Sequence, residues 1–436
     1  MITQTKSLKN TNENKPDASK SELVQMRDRY ARDLVFSLLS RMSQGKLEVT
    51  LPDQSKHVFG KGEGAITAHI IVNDESMFWR CLLYADLGLA ESYMDGLCDF
   101  PSIAALVSWF LLNQDGSPVL NESEEASPVL NLAGFVNQFL HALRHNSQNN
   151  SRKNISDHYD LGNNFFQLFL DPSMTYSSAL FSSNELSLEQ AQIAKFARAA
   201  KQLRISESDR VLDVGCGWGG LSLYLAKTFG CHVTSVTISR QQYDHFSALI
   251  KRENMQAHID LKLVDYRLLE GKFDKIVSIE MIEAVGEEYI DTFIKKLDSL
   301  LARNGILLMQ MITCPDSRYD IAHANVDFIQ KHIFPGSLLQ SNHRVNTAMN
   351  KCGDLFMVDL FDMTDSYVST LKLWQDAFEN RLAELTALGF NERFIRKWRY
   401  YFEYCQAAFS MRNVSVVQAA YSRPNNRNLN GGCALL

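Results

Sequence analysis

From about residue 188 onward the chain alternates strand-like and helix-like segments, and this alternation constrains its fold more than any other feature. Five strands are predicted, at RVLDVG, HVTSVTIS, IDLKLVD, FDKIVSIE and ILLMQMIT. Helices are predicted between most of them, at LSLYLAKTFG, QQYDHFSALIKREN and YIDTFIKKLDSLLARNG. Because strand–helix–strand succession builds a parallel sheet covered by helices, we predict an α/β, doubly wound fold with its ligand site beyond the carboxyl ends of the strands.

The region before residue 188 has a different pattern, which predicts a smaller α+β domain. A helix is predicted over residues 23–44, then a strand pair around the Pro-Asp turn of KLEVTLPDQSKHVFG, then three further helices, at 78–96, 103–112 and 132–144. A chain of 436 residues exceeds the usual size of one domain. The predicted divisions are a disordered tail (1–22), an N-terminal lipid-associated domain (23–144), a linker (145–154), a catalytic domain (155–423) and a C-terminal tail (424–436).

Composition and charge exclude several classes of protein. With a net charge of −6 and a pI near 6.0, the chain lacks the basic character of a nucleic-acid binder, so we expect no nucleic-acid partner. The longest apolar run, Ile103–Leu112, is about half a bilayer span. Eight cysteines are scattered without metal-ligand spacing, which favours a cytoplasmic protein without a metal site. Any contact with a membrane is therefore expected to be peripheral.

The glycine-rich turn VLDVGCGWGG (Val211–Gly220) joins the first predicted strand to the first helix. Gly215, Gly217 and Gly219 allow the backbone to approach a ligand closely, although a tight connection or a dinucleotide fold would also use such a turn. Asp213 precedes the glycines within the strand, and three motifs follow the next strands, TISRQQ, DYR and EMIEAVG. Residues at these strand ends line a nucleoside and amino-acid ligand in this topology. The sequence therefore predicts S-adenosylmethionine as the cofactor.

Together these motifs resemble the cyclopropane-fatty-acyl-phospholipid synthase family, which includes the mycolic acid cyclopropane synthases. The resemblance spans about residues 25–425 and rests on HYDLGNNFFQLFLDPSMTYSSALF (158–181), VLDVGCGWGG, TISRQQ, SIEMIEAVG (278–286), HIFPG (332–336) and YYFEYCQAAF (400–409). It implies a Rossmann-like class I methyltransferase domain behind a smaller lipid-associated domain. It also implies transfer of a methylene group from S-adenosylmethionine across the cis double bond of an unsaturated phospholipid acyl chain.

The resemblance further implies which residues bind the cofactor. Carried over motif by motif, they are Tyr159, Tyr176, Ser177, Asp213, Gly215, Cys216, Gly217, Trp218, Gly219, Thr237, Ile238, Ser239, Gln242, Asp265, Tyr266 and Glu280. For Ser239 and Gln242, capping of the following helix is an alternative that can coexist with cofactor binding.

The implied reaction leaves a carbocation, and one proton of the transferred methyl group must depart as the ring closes. Water would quench the cation, so the family uses a bound bicarbonate as the proton acceptor. The resemblance implies that Glu283, Gln310 and Tyr367 hold this anion through their side chains, and Ser178 and Ile312 through their backbone. Gln310 would donate from an amide that cannot titrate. The alternative for that amide is a hydrogen bond to the backbone of a neighbouring strand.

Two further catalytic candidates have structural alternatives. Cys405 occupies the family's suggested nucleophile position, yet cysteine on an apolar helical face usually belongs to the core. His158 is a candidate base, although a histidine there can equally hydrogen-bond the backbone that follows it.

The expected partner is a phospholipid bilayer, with docking through the N-terminal domain, and the chain is expected to be able to form a homodimer. Phe78, Trp79, Trp109 and Phe110 are candidates for the docking surface, with core packing as the alternative. The terminal CALL sequence fits a prenylation box at Cys433, which would matter only in a eukaryotic cytosol.

Three other functions compete with cyclopropane synthesis. One is a related enzyme that stops at a methyl, methylene or hydroxylated product. Another is a lipid-binding or scaffold protein with a decayed site. The third is a small-amine N-methyltransferase, whose substrates would not require the N-terminal domain.

Overall fold

The computed structural model describes residues 18–62, 66–113, 161–183, 185–324 and 326–429. The candidates His158, Tyr159 and Cys433, the predicted helix over 132–144 and the predicted linker lie outside these residues. Within the described ranges no helix is both long and apolar enough to cross a bilayer. The seven cysteines in these ranges are free thiols.

A four-stranded sheet with three helices forms the N-terminal part. The strands, in the order β2-β1-β3-β4, are β1 (Lys46–Thr50), β2 (Lys56–Phe59), β3 (Thr67–Val72) and β4 (Cys98–Asp99). The helices are α1 (Ala18–Leu39), α2 (Ser76–Met94) and α3 (Ile103–Leu112). The predicted strand pair is confirmed, because β1 runs antiparallel to β2 across the Pro-Asp turn. Phe78 and Trp109 are buried in this core, so neither belongs to a docking surface.

The larger part contains a seven-stranded sheet in the order β10-β11-β9-β8-β5-β6-β7. Its strands are β5 (Arg210–Val214), β6 (His232–Thr237), β7 (Ile259–Leu263), β8 (Phe273–Ile279), β9 (Leu301–Thr313), β10 (Phe356–Asp362) and β11 (Ser415–Ser422). Strands β5 to β9 are mutually parallel, and β11 is antiparallel to both β9 and β10. The predicted doubly wound α/β fold is confirmed.

Helices cover both faces of this sheet, which explains why its central strands are almost continuously apolar. The helices of this part are α4 (Asn163–Phe166), α5 (Leu188–Leu203), α6 (Gly220–Phe229), α7 (Arg240–Arg252), α8 (Ile290–Leu300), α9 (Tyr319–Ala324), α10 (Phe328–His332), α11 (Asn342–Cys352), α12 (Thr364–Glu379), α13 (Leu382–Ala387) and α14 (Glu392–Ser410). Leu212 and Val214 pack into the core on one face of the sheet, and Val211 packs into the core on the other. Parallel strands therefore end together at one edge, where α5 to α7 and the loops enclose the candidate site.

Some boundaries differ from the prediction. Helix α1 spans Ala18–Leu39 where a helix over 23–44 was expected, so it begins within the predicted disordered tail (1–22). The segment 289–305 was expected to be one helix, but α8 ends at Leu300 and β9 begins at Leu301. Leu301 is 1% exposed and pairs with Phe273 of β8, so burial in the sheet overrides helical propensity at this point.

Arg396 of α14 makes several contacts between the two parts of the molecule. The Arg396 guanidinium donates to the backbone oxygens of Tyr93 at 2.5 Å and Cys98 at 2.7 Å, and to Asp99 Oδ1 at 2.7 Å. Its guanidinium carbon lies 4.0 Å from the centre of the Tyr93 ring. The bonds to buried backbone oxygens position the N-terminal sheet against α14.

We predict that Arg396→Ala lowers the free energy of unfolding by about 2–3 kcal/mol, because the hydrogen bonds of the charged guanidinium to the Tyr93 and Cys98 backbone oxygens and to Asp99 are lost. Urea unfolding measures this change. The matched control is Arg381→Ala, which removes an exposed ion pair to Glu384 and should cost less than about 0.5 kcal/mol. Equal unfolding midpoints for the two variants would contradict the role of Arg396.

Candidate active site

A cavity of about 610 Å³ lies beyond the carboxyl ends of β5, β6 and β8. Its wall includes the glycine-rich turn after β5, the ends of the neighbouring strands, and side chains of α10, α12 and α14. Asp86, from α2 of the N-terminal part, also lines it. The position agrees with the predicted location of the ligand site at the strand ends.

Two glycines of the glycine-rich turn, Gly217 and Gly219, have different roles. Gly217 has φ +54°, and no described atom lies within 4 Å of the position that a Cβ would take there. Gly219 has φ +93°, and a Cβ would lie 2.2 Å from the ring of Phe246. Gly217 therefore leaves room for a ligand, whereas Gly219 allows close packing against α7 and does not line the cavity.

Most of the predicted cofactor residues that the structure describes line this cavity. They are Tyr176, Ser177, Asp213, Gly215, Cys216, Gly217, Trp218, Thr237, Ile238, Gln242, Asp265, Tyr266 and Glu280. Ser239 does not line it: the Ser239 hydroxyl accepts a bond from the Gln242 backbone N–H at 3.3 Å and caps α7. The open space at Gly217, flanked by polar groups from successive strand ends, fits S-adenosylmethionine.

Arg267, which was not among the predicted cofactor residues, holds the Asp265 carboxylate in place. Arg267 donates from Nε and Nη2 to the two Asp265 carboxylate oxygens, at 2.8 and 2.7 Å. The guanidinium lies between the rings of Tyr266 and Tyr289, 5.4 Å from each centre. Arg267 lines the cavity as well, so it is a further candidate for cofactor binding.

Glu280 accepts hydrogen bonds from donors on three separate residues in the cavity wall or behind it. Gln310 Nε2 and the Ser178 backbone N–H donate to Glu280 Oε1, at 2.7 and 2.9 Å. The Tyr367 hydroxyl donates to Glu280 Oε2 at 2.9 Å. The backbone of Glu280 has φ +47°, a left-handed conformation that a non-glycine residue adopts at a cost. Local structure is thus strained to place this carboxylate among the three donors.

Four members of the predicted bicarbonate cage donate to protein carboxylates in this structure. Gln310, Tyr367 and the Ser178 backbone were expected to bind a free anion, but each donates to Glu280. The fourth of these members, the Ile312 backbone N–H, donates to Glu283 Oε1 at 2.6 Å. These four donors, as they stand, do not fit a separate bicarbonate, because protein carboxylates already accept their hydrogen bonds.

Gln310 itself does not line the cavity. Its side chain is 1% exposed on β9, directly opposite Gln418 of β11. Gln418 Nε2 donates to Gln310 Oε1 at 3.0 Å, and Arg198 of α5 donates to Gln418 Oε1 at 2.8 Å. Gln310 Nε2 also lies 3.3 Å from the Ser178 backbone oxygen. Gln310 therefore positions Glu280 and has no contact with the cavity.

Lys195 is a site residue that the sequence analysis missed. Its side chain is 0% exposed, and Nζ donates to the Ser177 hydroxyl at 2.8 Å. Burial lowers the pKa of this amine to about 7, against the opposing charges of Glu280 and Asp171. A signal was present, because Lys195 shares one helical face with the buried Ala191 and Ala199 of α5. A lysine on an apolar face indicates a buried charge partner.

Glu283 also lines the cavity, but its protonation state differs from that of Glu280. Burial, and then the charge of Glu280, raise the pKa of Glu283 from 4.5 to about 8. Oε1 accepts from the Ile312 N–H, whereas Oε2 is buried and has no hydrogen-bond partner among the described residues. At neutral pH this carboxyl group therefore holds a proton and can donate into the cavity.

Cys405 lies in the cavity wall, but its environment does not suit a nucleophile. Burial raises the pKa of the Cys405 thiol well above its usual range. Only a thiolate is strongly nucleophilic, so Cys405 is a neutral wall residue. Burial likewise keeps the Tyr367 hydroxyl protonated by raising its pKa, as its role as a donor to Glu280 requires.

Known proteins resemble the chain over most of its length. Residues 146–419 match the family described as Mycolic acid cyclopropane synthetase, and residues 34–121 match a domain of unknown function, DUF7884. The Cyclopropane-fatty-acyl-phospholipid synthase of Escherichia coli (strain K12) is 34% identical over 363 residues, which cover 83% of this chain and 89% of that protein. The Tuberculostearic acid methyltransferase UfaA1 of Mycobacterium tuberculosis is 34% identical, over 68% of this chain and 74% of that protein.

Solved structures agree with these sequence relatives. The cyclopropane synthase MmaA2 from Mycobacterium tuberculosis superposes with a TM-score of 0.58 at 27% identity, over 62% of this chain and 98% of that chain. The mycolic acid cyclopropane synthase CmaA1 complexed with SAH and CTAB gives 0.58 at 29% identity, over the same shares. Coclaurine N-methyltransferase, at 18% identity and a TM-score of 0.59, shares the fold alone. The chain therefore belongs to the mycolic acid cyclopropane synthetase family and is an S-adenosylmethionine-dependent methyltransferase.

Proposed function

We propose that the chain transfers a methylene group from S-adenosylmethionine across the cis double bond of an unsaturated phospholipid acyl chain and closes a cyclopropane ring. The observation that carries this proposal is the composition of the cavity wall. The glycine-rich turn forms one part, and apolar side chains form much of the remainder: Ile329, Phe334, Leu371, Ala408, Phe409 and Val414. Such a wall favours an acyl chain, which has no polar groups to satisfy.

The residues of the chain would protect a cationic reaction. When bound, S-adenosylmethionine supplies the electrophilic methyl carbon. The apolar wall excludes water, which would otherwise add to the carbocation. Phe334, Tyr401 and Phe409 contribute aromatic rings to this wall, and ring faces stabilise positive charge. These features support ring closure over a hydroxylated product.

The bicarbonate implied by the resemblance stays a prediction, and the donor arrangement argues against it. A bicarbonate would have to displace the Glu280 carboxylate from three hydrogen bonds, each worth about 1.5–3 kcal/mol for a charged acceptor. We therefore assign no step of the reaction to this anion.

Expression of the chain in cells that contain unsaturated phospholipids tests the proposed function. We expect acyl chains that gain the mass of one CH₂ group and lose their double bond. An exocyclic methylene product would have the same mass but remain sensitive to ozonolysis, and a saturated methyl-branched product would be heavier by two hydrogens. Absence of any modified acyl chain, with ample S-adenosylmethionine, would refute the proposal.

Substitutions at two glycines, Gly217 in the cavity wall and Gly62 outside it, test whether the cavity binds the cofactor. Gly217→Ala places a methyl group in the open space of the cofactor site and should lower S-adenosylmethionine affinity by at least about tenfold, measured by calorimetry. Gly62 has φ +69° and also lacks a described atom near its Cβ position, but it lies outside the cavity wall. Gly62→Ala should therefore leave both affinity and product unchanged. Undetectable cofactor binding by the wild type would favour a decayed site.

We also propose that the N-terminal part docks on the bilayer through α1. Leu23, Met26, Tyr30 and Leu34 recur every three to four residues and therefore share one face of this helix. They are 64%, 67%, 63% and 39% exposed. An exposed apolar stripe of this kind supports insertion between lipid headgroups.

Sedimentation with phosphatidylethanolamine–phosphatidylglycerol vesicles tests the docking surface. The double variant Met26→Asp/Tyr30→Asp should bind at least about tenfold more weakly, because each apolar side chain contributes about 1.5–3 kcal/mol when buried. Val58→Asp is the control, since Val58 is 56% exposed on β2, away from the α1 stripe. Equal vesicle binding of the double variant and the control would exclude this face of α1.

The raised pKa of Glu283 predicts a pH-dependent stability. Between pH 4.5 and about 8 the folded state holds a proton on Glu283 that the unfolded state has lost, so stability falls as pH rises through this window. Glu283→Gln should remove this fall and gain on the order of 5 kcal/mol relative to the wild type across the window. Urea unfolding at several pH values measures it. The exposed Glu270→Gln should track the wild type, and parallel pH profiles for wild type and Glu283→Gln would contradict the assignment.

A further inference from the structure

The Glu280 carboxylate occupies the place that a free anion would need. Three independent elements converge on it: β9 through Gln310, the segment before α5 through the Ser178 backbone, and α12 through Tyr367. The same carboxylate lines the cavity, so it faces the space available to the substrate. The three donors therefore do bind an anion, and that anion is the Glu280 carboxylate.

The environment of Glu280 suits a base. Burial raises the pKa of Glu280 above its usual range, while Lys195 and the three donors oppose this shift and favour the ionised form. A carboxylate of raised pKa is a stronger base than an exposed one. Glu283, whose carboxyl group is protonated near neutral pH, does not compete for this role.

The donors to Glu280 are held by groups that cannot take the proton themselves. Gln310 is fixed by Gln418, and Gln418 is fixed by Arg198. Amides do not titrate, and the Tyr367 hydroxyl remains protonated because burial raises its pKa. A proton that reaches this cluster from the substrate therefore goes to the Glu280 carboxylate.

We propose that Glu280 is the catalytic base of this enzyme and that the reaction needs no bicarbonate; this inference rests on the proposed function. The alkene π pair forms the new carbon–carbon bond while the sulfonium–methyl bond breaks and leaves a thioether. The neighbouring carbon becomes a cation. Glu280 then takes one proton from the transferred methyl group, and the released C–H pair closes the ring. The protonated Glu280 returns its proton to water when the cavity opens to exchange products.

Bicarbonate depletion tests the proposal on the purified full chain. Turnover of S-adenosylmethionine on vesicles of unsaturated phospholipid is measured in buffer purged of carbon dioxide, with and without added bicarbonate. We expect equal wild-type rates in the two conditions. A wild-type rate that rises at least threefold with bicarbonate would overturn the proposal, and this comparison needs no variant.

Two substitutions sharpen the test. Glu280→Gly removes the carboxylate and leaves its donors free, so activity should fall about 100-fold or more and recover at least tenfold with bicarbonate. Glu280→Gln fills the same space without a base, and should lose activity with no recovery. Full bicarbonate-independent activity of either variant would overturn the proposal. If the wild type yields no modified acyl chain in either buffer, the proposed function fails, whereas a bicarbonate-dependent wild type refutes only the role of Glu280.

Discussion

Two carboxylates three residues apart cannot both be charged in a cavity that excludes water, and the site is organised around this constraint. Glu280 is surrounded by three donors and lies near the buried Lys195, so its charge is compensated. Glu283 has a single backbone donor and keeps its proton. The loop after β8, with its short helical turn Ile282–Ala284, therefore carries two carboxyl groups in different states. Glu280 is a hydrogen-bond acceptor, and the protonated Glu283 is a donor.

Local sequence patterns were sufficient to predict the five parallel strands, the glycine-rich turn and most of the cofactor residues, but not β10 and β11. These features depend on short-range periodicity and on motifs at strand ends, which the topology of parallel strands brings to one edge. Gly217 shows this directly, since its position after β5 already placed it in the ligand site. The helix predicted over 289–305 was too long. Leu301 is extended because it pairs with Phe273 in the sheet, a contact that the local sequence does not show.

The parts that escaped prediction depend on contacts between distant segments. Gln310 meets Gln418, 108 residues later, only because β11 inserts antiparallel beside β9. Glu280 was assigned to the cofactor because its donors come from three separate elements that no single motif contains. Lys195 carried a local signal, but its partner Ser177 became apparent only from the packing of α5. In each case the sequence showed a polar side chain in an apolar segment, but its hydrogen-bond partner was known only from the three-dimensional structure.

The hydrogen-bonded side chains that support Glu280 affect when its proton can leave during turnover. They form a row that runs from Gln310 through Gln418 to Arg198, whose ion pair with Asp359 reaches the partly exposed edge of the sheet. Neither amide can gain or lose a proton, so this row holds orientation but conducts no charge. A proton taken up at Glu280 has to leave through the cavity, and each catalytic cycle would then couple deprotonation of the base to departure of the lipid.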